Sequence, residues 1–216
     1  MREQNIRRIK FCIVTLLYTS LTIADLALTY SVTPCLTMEA NPLVVVFGLG
    51  WGTLIGVNVV MFVPVVMAAY YAFVKYCCGR SQLACNGFMQ YCSMLYYNRT
   101  DKFSWVMYKM SYSLPTNRAP LLALSCFLFV VIFIAVRLVA VFGWITIIVA
   151  GVHPGNWHLP EYHSSVLYWV ISAHLPVNPF ALVIAFTFLF ANFYWHLNEY
   201  RLNKKMESEM TKIEGI

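Results

Sequence analysis

Phe11-Cys12-Ile13-Val14-Thr15-Leu16-Leu17-Tyr18-Thr19-Ser20-Leu21-Thr22-Ile23-Ala24-Asp25-Leu26-Ala27-Leu28-Thr29-Tyr30-Ser31-Val32 decides the fold. A hydrocarbon core of about 30 Å takes about 20 helical residues, so this run is long enough to cross a membrane. It nevertheless carries a carboxylate past its midpoint. An ionisable side chain inside a span costs about 2.5–3.5 kcal/mol on insertion scales, and more if it faces lipid alone. Asp25 therefore needs a partner inside the bilayer, and that need organises the rest of the chain.

The surrounding composition agrees with a membrane setting. The 216 residues are 60% hydrophobic and only 11% charged, where soluble domains have about 45–50% apolar and about 25% charged residues. That excludes a soluble globular domain, a disordered chain and a small disulfide-stapled scaffold. Three further apolar segments follow, at about residues 53–74, 120–149 and 166–197. The second is preceded by a glycine-rich stretch, Gly48, Gly50, Gly52 and Gly56, read as a short lead-in helix or turn. The third starts behind Pro115-Thr116-Asn117, a helix-start signal. Pro176-Val177-Asn178-Pro179 predicts a kink or break in the fourth, because proline removes a backbone donor and clashes with the preceding turn. The expected fold is all-α: a polytopic integral membrane protein with four transmembrane helices in one domain over residues 1–203, and a tail over 204–216.

Lys and Arg fix the expected orientation. Arg2, Arg7, Arg8 and Lys10 precede the first span; Lys75, Arg80, Arg99, Lys102, Lys109 and Arg118 lie between the second and third; Arg201, Lys204, Lys205 and Lys212 follow the fourth. The other two connections have none, which puts both termini and the long loop in the cytoplasm. The net charge of +6 thus concerns lipid headgroups and topology rather than nucleic acid. The first run is too long for the core of a cleavable signal peptide and has no small-residue cleavage site behind it, so it is expected to persist. Residues 77–118 interleave aromatic and methionine side chains with Arg99, Lys102 and Lys109, which predicts a long interfacial cytoplasmic loop lying in the headgroup region.

Depth selects the partner of Asp25. It lies about fourteen residues into the first span, or roughly 21 Å; Arg137 lies about seventeen residues into the third, or roughly 25 Å, from the same side. The two match within the reach of an arginine, so they are predicted to pair. Thr29 is one turn above Asp25 on the same face and Thr22 nearly one turn below. His174 and Asn178 approach the same level from the outer side, and Glu39 and Asn41 sit in the turn after the first span. Asp25, Thr29, Glu39, Asn41, Arg137, His174 and Asn178 form the candidate ligand-binding set. Asn58, in the second span, reads as ordinary interhelical glue.

Other features call for no metal or cofactor. His153, His158, Glu161 and His163 share an outer loop, but their spacing matches no recognised ligand pattern. Cys77, Cys78, Cys85 and Cys92 crowd the cytoplasmic loop without zinc-like spacing, leaving acylation of Cys77 and Cys78 or inert thiols. No phosphate loop, nucleophile elbow or zincin helix is present.

Asp25-Leu26-Ala27-Leu28-Thr29, followed by Glu39-Ala40-Asn41-Pro42-Leu43, resembles an uncharacterised family of small prokaryotic multi-pass membrane proteins, with Asp-x3-Thr in the first helix and Glu-x-Asn-Pro-Leu in the outer turn. The resemblance covers the first two spans and implies a fold and a polar cluster, with no activity attached. That family often places a basic residue in the second span, where this chain has Asn58; Arg137 would take its part. A weaker likeness in layout is to four-span sterol isomerase and sigma-2 receptor type proteins, where Asp25 and Glu39 would correspond to a carboxylate pair.

Three functions fit these residues. The favoured one is a polar intramembrane pocket that binds or moves a lipid, a small solute or an ion. The alternative is a non-catalytic accessory subunit of a larger membrane complex. The third is an enzyme of lipid chemistry with Asp25 or Glu39 as acid/base.

Overall fold

The computed structural model describes residues 2–36, 48, 50–76, 85–99, 115–149 and 179–214. Within them the chain is helical and forms no strand. Helix α1 is Arg2–Val32 and α2 is Trp51–Tyr70, continued by a π-helical turn, Tyr71–Lys75; α3 is Phe88–Tyr97, α4 is Arg118–Val149 and α5 is Pro179–Glu214. Asn5–Val32, Trp51–Lys75 and Arg118–Val149 are each long and apolar enough to cross a membrane. Of the expected fourth span, residues 166–178 lie outside the described residues, so the kink expected around Pro176 falls there too.

Seven-residue spacings show how the spans pack. On α1, Tyr18, Asp25 and Val32 are buried, and Thr29 lies on the adjoining line that also carries Thr15 and Thr22. On α4, Ala123, Val130 and Trp144 are buried at the same interval, with Arg137 between them. Residues repeating at that interval keep one seam facing a neighbour, as in left-handed helix bundles. Tyr18 packs against Val65, Ala69 and Val130, stacked on Phe62 at 6.2 Å and edge-on to Phe133 at 6.5 Å. Phe11 meets Tyr70 and Tyr30 meets Trp51, so α2 runs antiparallel to α1. Pairing of Tyr18 with Phe133 and of Asp25 with Arg137 makes α4 parallel to α1.

The outward faces are the apolar ones. Ile13, Leu16 and Ile23 on α1, Val59, Val60 and Met67 on α2, and Phe142 and Val149 on α4 are exposed, whereas Asp25, Thr29 and Asn58 are buried. That is the inverse of a soluble protein and suits a surface solvated by hydrocarbon.

Local chemistry sets the helix ends. Leu36 takes a left-handed φ of 57° after α1. The Trp51 indole donates to the Pro34 carbonyl at 2.7 Å, fastening the start of α2 to the turn below α1. Pro64 sits inside α2 without ending it. At the far end the π turn closes with Tyr76 N–H donating to Tyr71 O at 2.7 Å, and Arg7 Nη1 donates to Tyr76 O at 2.9 Å. A cation on a terminal carbonyl is favourable both as a hydrogen bond and against the helix dipole.

Of the interfacial loop expected over residues 77–118, residues 85–99 and 115–118 are described, and they pack against other helices. Helix α3 starts at Gly87, where Gln90 Oε1 accepts the Asn86 N–H at 2.7 Å, and ends at Asn98 in the left-handed conformation, φ 53°. Its Tyr91, Cys92, Leu95 and Tyr96 are buried with Ala123, Leu124 and Leu128 of α4 and Ala191 and Trp195 of α5. Asn117 N–H donates to Tyr96 O at 3.0 Å, leading directly into α4. The aromatic composition that marks a headgroup-level segment also suits burial against neighbouring helices, and here protein covers it. Cys77, Cys78, Lys102 and Lys109 lie outside the described residues.

Helix α5 is a continuous element of 36 residues. Ala191, Trp195, Glu199 and Asn203, one turn apart in succession, are its buried line, while Phe186, Leu189, Phe190 and Phe193 are exposed. Residues 204–214, expected as a tail extending the last helix, continue α5 without a break, with Lys204 Nζ 2.7 Å from Glu207 Oε2. Asn203 Nδ2 donates to Cys85 Sγ at 3.6 Å, so the end of α5 is tied to the residues before α3.

Candidate functional site

The site is built where three spans converge. Asp25 comes from α1, Asn58 from α2, and Arg137 and Trp144 from α4. Arg137 Nη1 donates to Asp25 Oδ2 at 2.5 Å, and Trp144 Nε1 donates to Asp25 Oδ1 at 3.2 Å. Arg137 Nη2 donates to Asn58 Oδ1. Asn58 in turn donates through Nδ2 to the Leu54 carbonyl of its own helix at 2.8 Å, which fixes its amide so that Oδ1 faces the guanidinium. The ion pair is mostly enclosed, with side-chain exposures of 19% for Arg137 and 11% for Asp25.

The burial makes these bonds consequential. Bringing two charges out of water costs several kcal/mol each after relaxation, and only close geometry with further hydrogen bonds compensates. Here the carboxylate has a donor on each oxygen and the guanidinium has two acceptors. A guanidinium carries five N–H donors. Two N–H groups of Arg137 are used among the described residues, on Asp25 and Asn58, so three remain for acceptors that reach its partly open side.

Thr29 is buried beside the pair but turns its hydroxyl inward on its own helix, donating from Oγ1 to Asp25 O at 2.8 Å. It therefore satisfies the backbone of Asp25 rather than its carboxylate. Thr22 does the same one turn earlier, to Tyr18 O at 2.9 Å. Such back-bonding is ordinary for threonine in an apolar helix, where the hydroxyl has no water. On the same face, Thr15 Oγ1 and Tyr18 Oη are buried with no hydrogen-bond partner among the described residues.

The sequence brings Asp25, Thr29 and Arg137 to one place, and the structure does the same. Glu39, Asn41, His174 and Asn178 lie outside the described residues, as do His153, His158, Glu161 and His163. Among the described residues no group of three His, Cys, Asp or Glu side chains converges to hold a metal. Two contributors escaped the sequence reading of the site. Asn58 was assigned to helix packing, and it does bridge helices, but to the same guanidinium. Trp144 lies in an apolar run where one indole gives no signal of its own; its seven-residue interval from Arg137 is the clue that could have found it.

A second polar contact joins α3 to α5. Tyr96 Oη and His196 Nε2 are 2.8 Å apart, and His196 Nδ1 is 2.8 Å from Asn192 O. A carbonyl only accepts, so Nδ1 carries the proton and Nε2 accepts from the Tyr96 hydroxyl.

No known protein family, curated protein or solved structure matches this chain.

Proposed function

We propose that the protein is a four-span membrane protein that binds a ligand rich in hydrogen-bond acceptors, whether a lipid headgroup, a small solute or an ion, at the polar cluster of Asp25, Asn58, Arg137 and Trp144. The observation that carries this is the state of Arg137: a guanidinium deep in an apolar bundle, with two of its five N–H groups used among the described residues and an exposure of 19% on its side chain. A fixed cation with unspent donors is what an acceptor-bearing ligand needs, and an anionic ligand would compete with Asp25 for it. Thr29 holds the backbone beneath the carboxylate. Glu39, Asn41, His174 and Asn178 would close the outer side in this proposal.

The fourth span is part of the same proposal. Its support is the exposed Phe186, Leu189, Phe190 and Phe193 on α5, together with the antiparallel run of α5 against α1, which brings Lys205 to the same end as Arg7. The clustered basic residues assign that end to the cytoplasm.

Ligand-dependent thermal stability of the purified full chain tests the site. A pocket requires that lipid extract or a candidate solute raises the melting temperature of the wild type and fails to do so for Asp25→Asn and Arg137→Gln. Equal shifts in all three proteins would refute it.

One observation favours a second reading, a non-catalytic component of a larger membrane assembly in which the cluster only locks helix register: both oxygens of Asp25 are already occupied. The same saturation places an enzyme with Asp25 as acid/base third, because proton transfer would first require the cluster to open. The motif likeness to small prokaryotic membrane proteins supports the layout of the first two spans and supplies no activity.

A further inference from the structure

A cleft of about 960 Å³ lies far from the Asp25 cluster, at the end of the bundle where α1 begins. Lys10 is fifteen residues before Asp25 on the same helix, about 22 Å away along the axis. Arg7, Lys10 and Lys205 lie on the cleft wall, with Glu199 the one carboxylate among the described lining residues. Its apolar part is Phe73 from the π turn, Phe127 from α4 and Trp195 from α5. Lys10 is exposed and makes no hydrogen bond or ion pair among the described residues.

Two further facts choose the occupant. The apolar wall continues outward through Ile13 and Tyr194, each 58% exposed, so the cleft opens sideways onto the face that hydrocarbon covers. Arg7 and Lys10 of its basic rim stand in the first turns of the Asn5–Val32 span, and Tyr76 on the same wall directly follows the end of the Trp51–Lys75 span, which is headgroup depth. A cavity with cations at headgroup level and an apolar side door fits a molecule that carries phosphate and acyl chains together; a water-soluble anion would leave the apolar wall wet.

We propose that this cleft is a binding site for one anionic phospholipid of the leaflet at the basic end, its phosphate held by Arg7, Lys10 and Lys205 and an acyl chain lying along Phe127, Ile13 and Tyr194. Among the described lining residues three cations face one carboxylate, and Arg7 is already oriented by its bond to Tyr76 O. The site is independent of the Asp25 cluster.

The test uses the full-length protein in dodecyl maltoside and phosphatidylglycerol with brominated acyl chains, read by native mass spectrometry and by quenching of tryptophan fluorescence, with Trp195 on the cleft wall as reporter. One lipid per chain and saturable quenching are expected. Lys10→Gln/Lys205→Gln should weaken binding about twenty-five-fold, at about fivefold per surface cation, with the Asp25 cluster still responding to Asp25→Asn and Arg137→Gln as in the wild type. Arg7→Gln should weaken binding further but also uncaps α2, so the lysine pair decides. Equal affinity for phosphatidylcholine, wild-type affinity in the double variant, or displacement of the lipid by millimolar inorganic phosphate would each overturn the proposal.

Discussion

Arg137 and Trp144 stand seven residues apart on α4 and end on the two oxygens of one carboxylate, the guanidinium on Oδ2 and the indole on Oδ1 of Asp25. Two turns of one helix thereby grip a single side chain of another, so any rotation or slide of α1 against α4 breaks both bonds together.

The pair should show strong coupling. Removing one member leaves the other buried and uncompensated, which typically costs 3–5 kcal/mol, whereas replacing both is far milder. We predict that Asp25→Ala and Arg137→Ala each lower unfolding stability by about that amount, and that Asp25→Asn/Arg137→Gln recovers more than half of the loss. A denaturation cycle on the four proteins measures it; additive losses would contradict the geometry.

Trp144→Phe keeps the ring and deletes the N–H. It should cost about 1.5–3 kcal/mol, the usual range for a hydrogen bond to a charged group, and should shift the tryptophan emission. An unchanged stability would mean that the indole contributes packing alone.

Tyr18→Phe has the opposite sign. The Tyr18 hydroxyl is buried without a partner among the described residues, so deleting it removes a desolvated group and leaves the stack on Phe62 intact. Stability should stay level or rise by up to about 1 kcal/mol. A clear loss would reveal a bound water or ligand on that oxygen.

Thiol chemistry should separate the buried Cys92 of α3 from the exposed Cys35 that follows α1. Burial, reinforced by Cys85 alongside, pushes the Cys92 thiol up to about 12, and burial pushes Cys85 up as well. At pH 8 the reactive thiolate of Cys92 is then about one part in ten thousand. Peptide mapping after N-ethylmaleimide treatment should find the exposed Cys35 modified well before Cys92. The folded thiols keep their protons above the pH of about 8.5 at which unfolded ones release them, so stability should fall as pH rises beyond about 9.

Depth arithmetic alone was enough to pair Asp25 with Arg137, because a charge in hydrocarbon has few affordable solutions and only one cation lay at that level. Asn58 was visible as a polar residue in a span, yet nothing in sequence distinguishes an amide that bonds its own helix from one that also meets a charge. The burial of α3 was illegible for a different reason. Tyr91, Tyr96 and Tyr97 fit a headgroup surface and a protein interior equally well, and only the covering residues from α4 and α5, distant in sequence, decide between them. Helix α5 shows the same limit: the exposed Phe190 and the buried Ala191 are neighbours in one apolar run.

The fastening of Trp51 to Pro34 lets the first hairpin close as soon as α2 has been made. Arg137 is 112 residues beyond Asp25, so a growing chain commits the acid to the bilayer long before its cation has been translated. The carboxylate of the first hairpin thus has its cation and its indole donor only once α4 has been made.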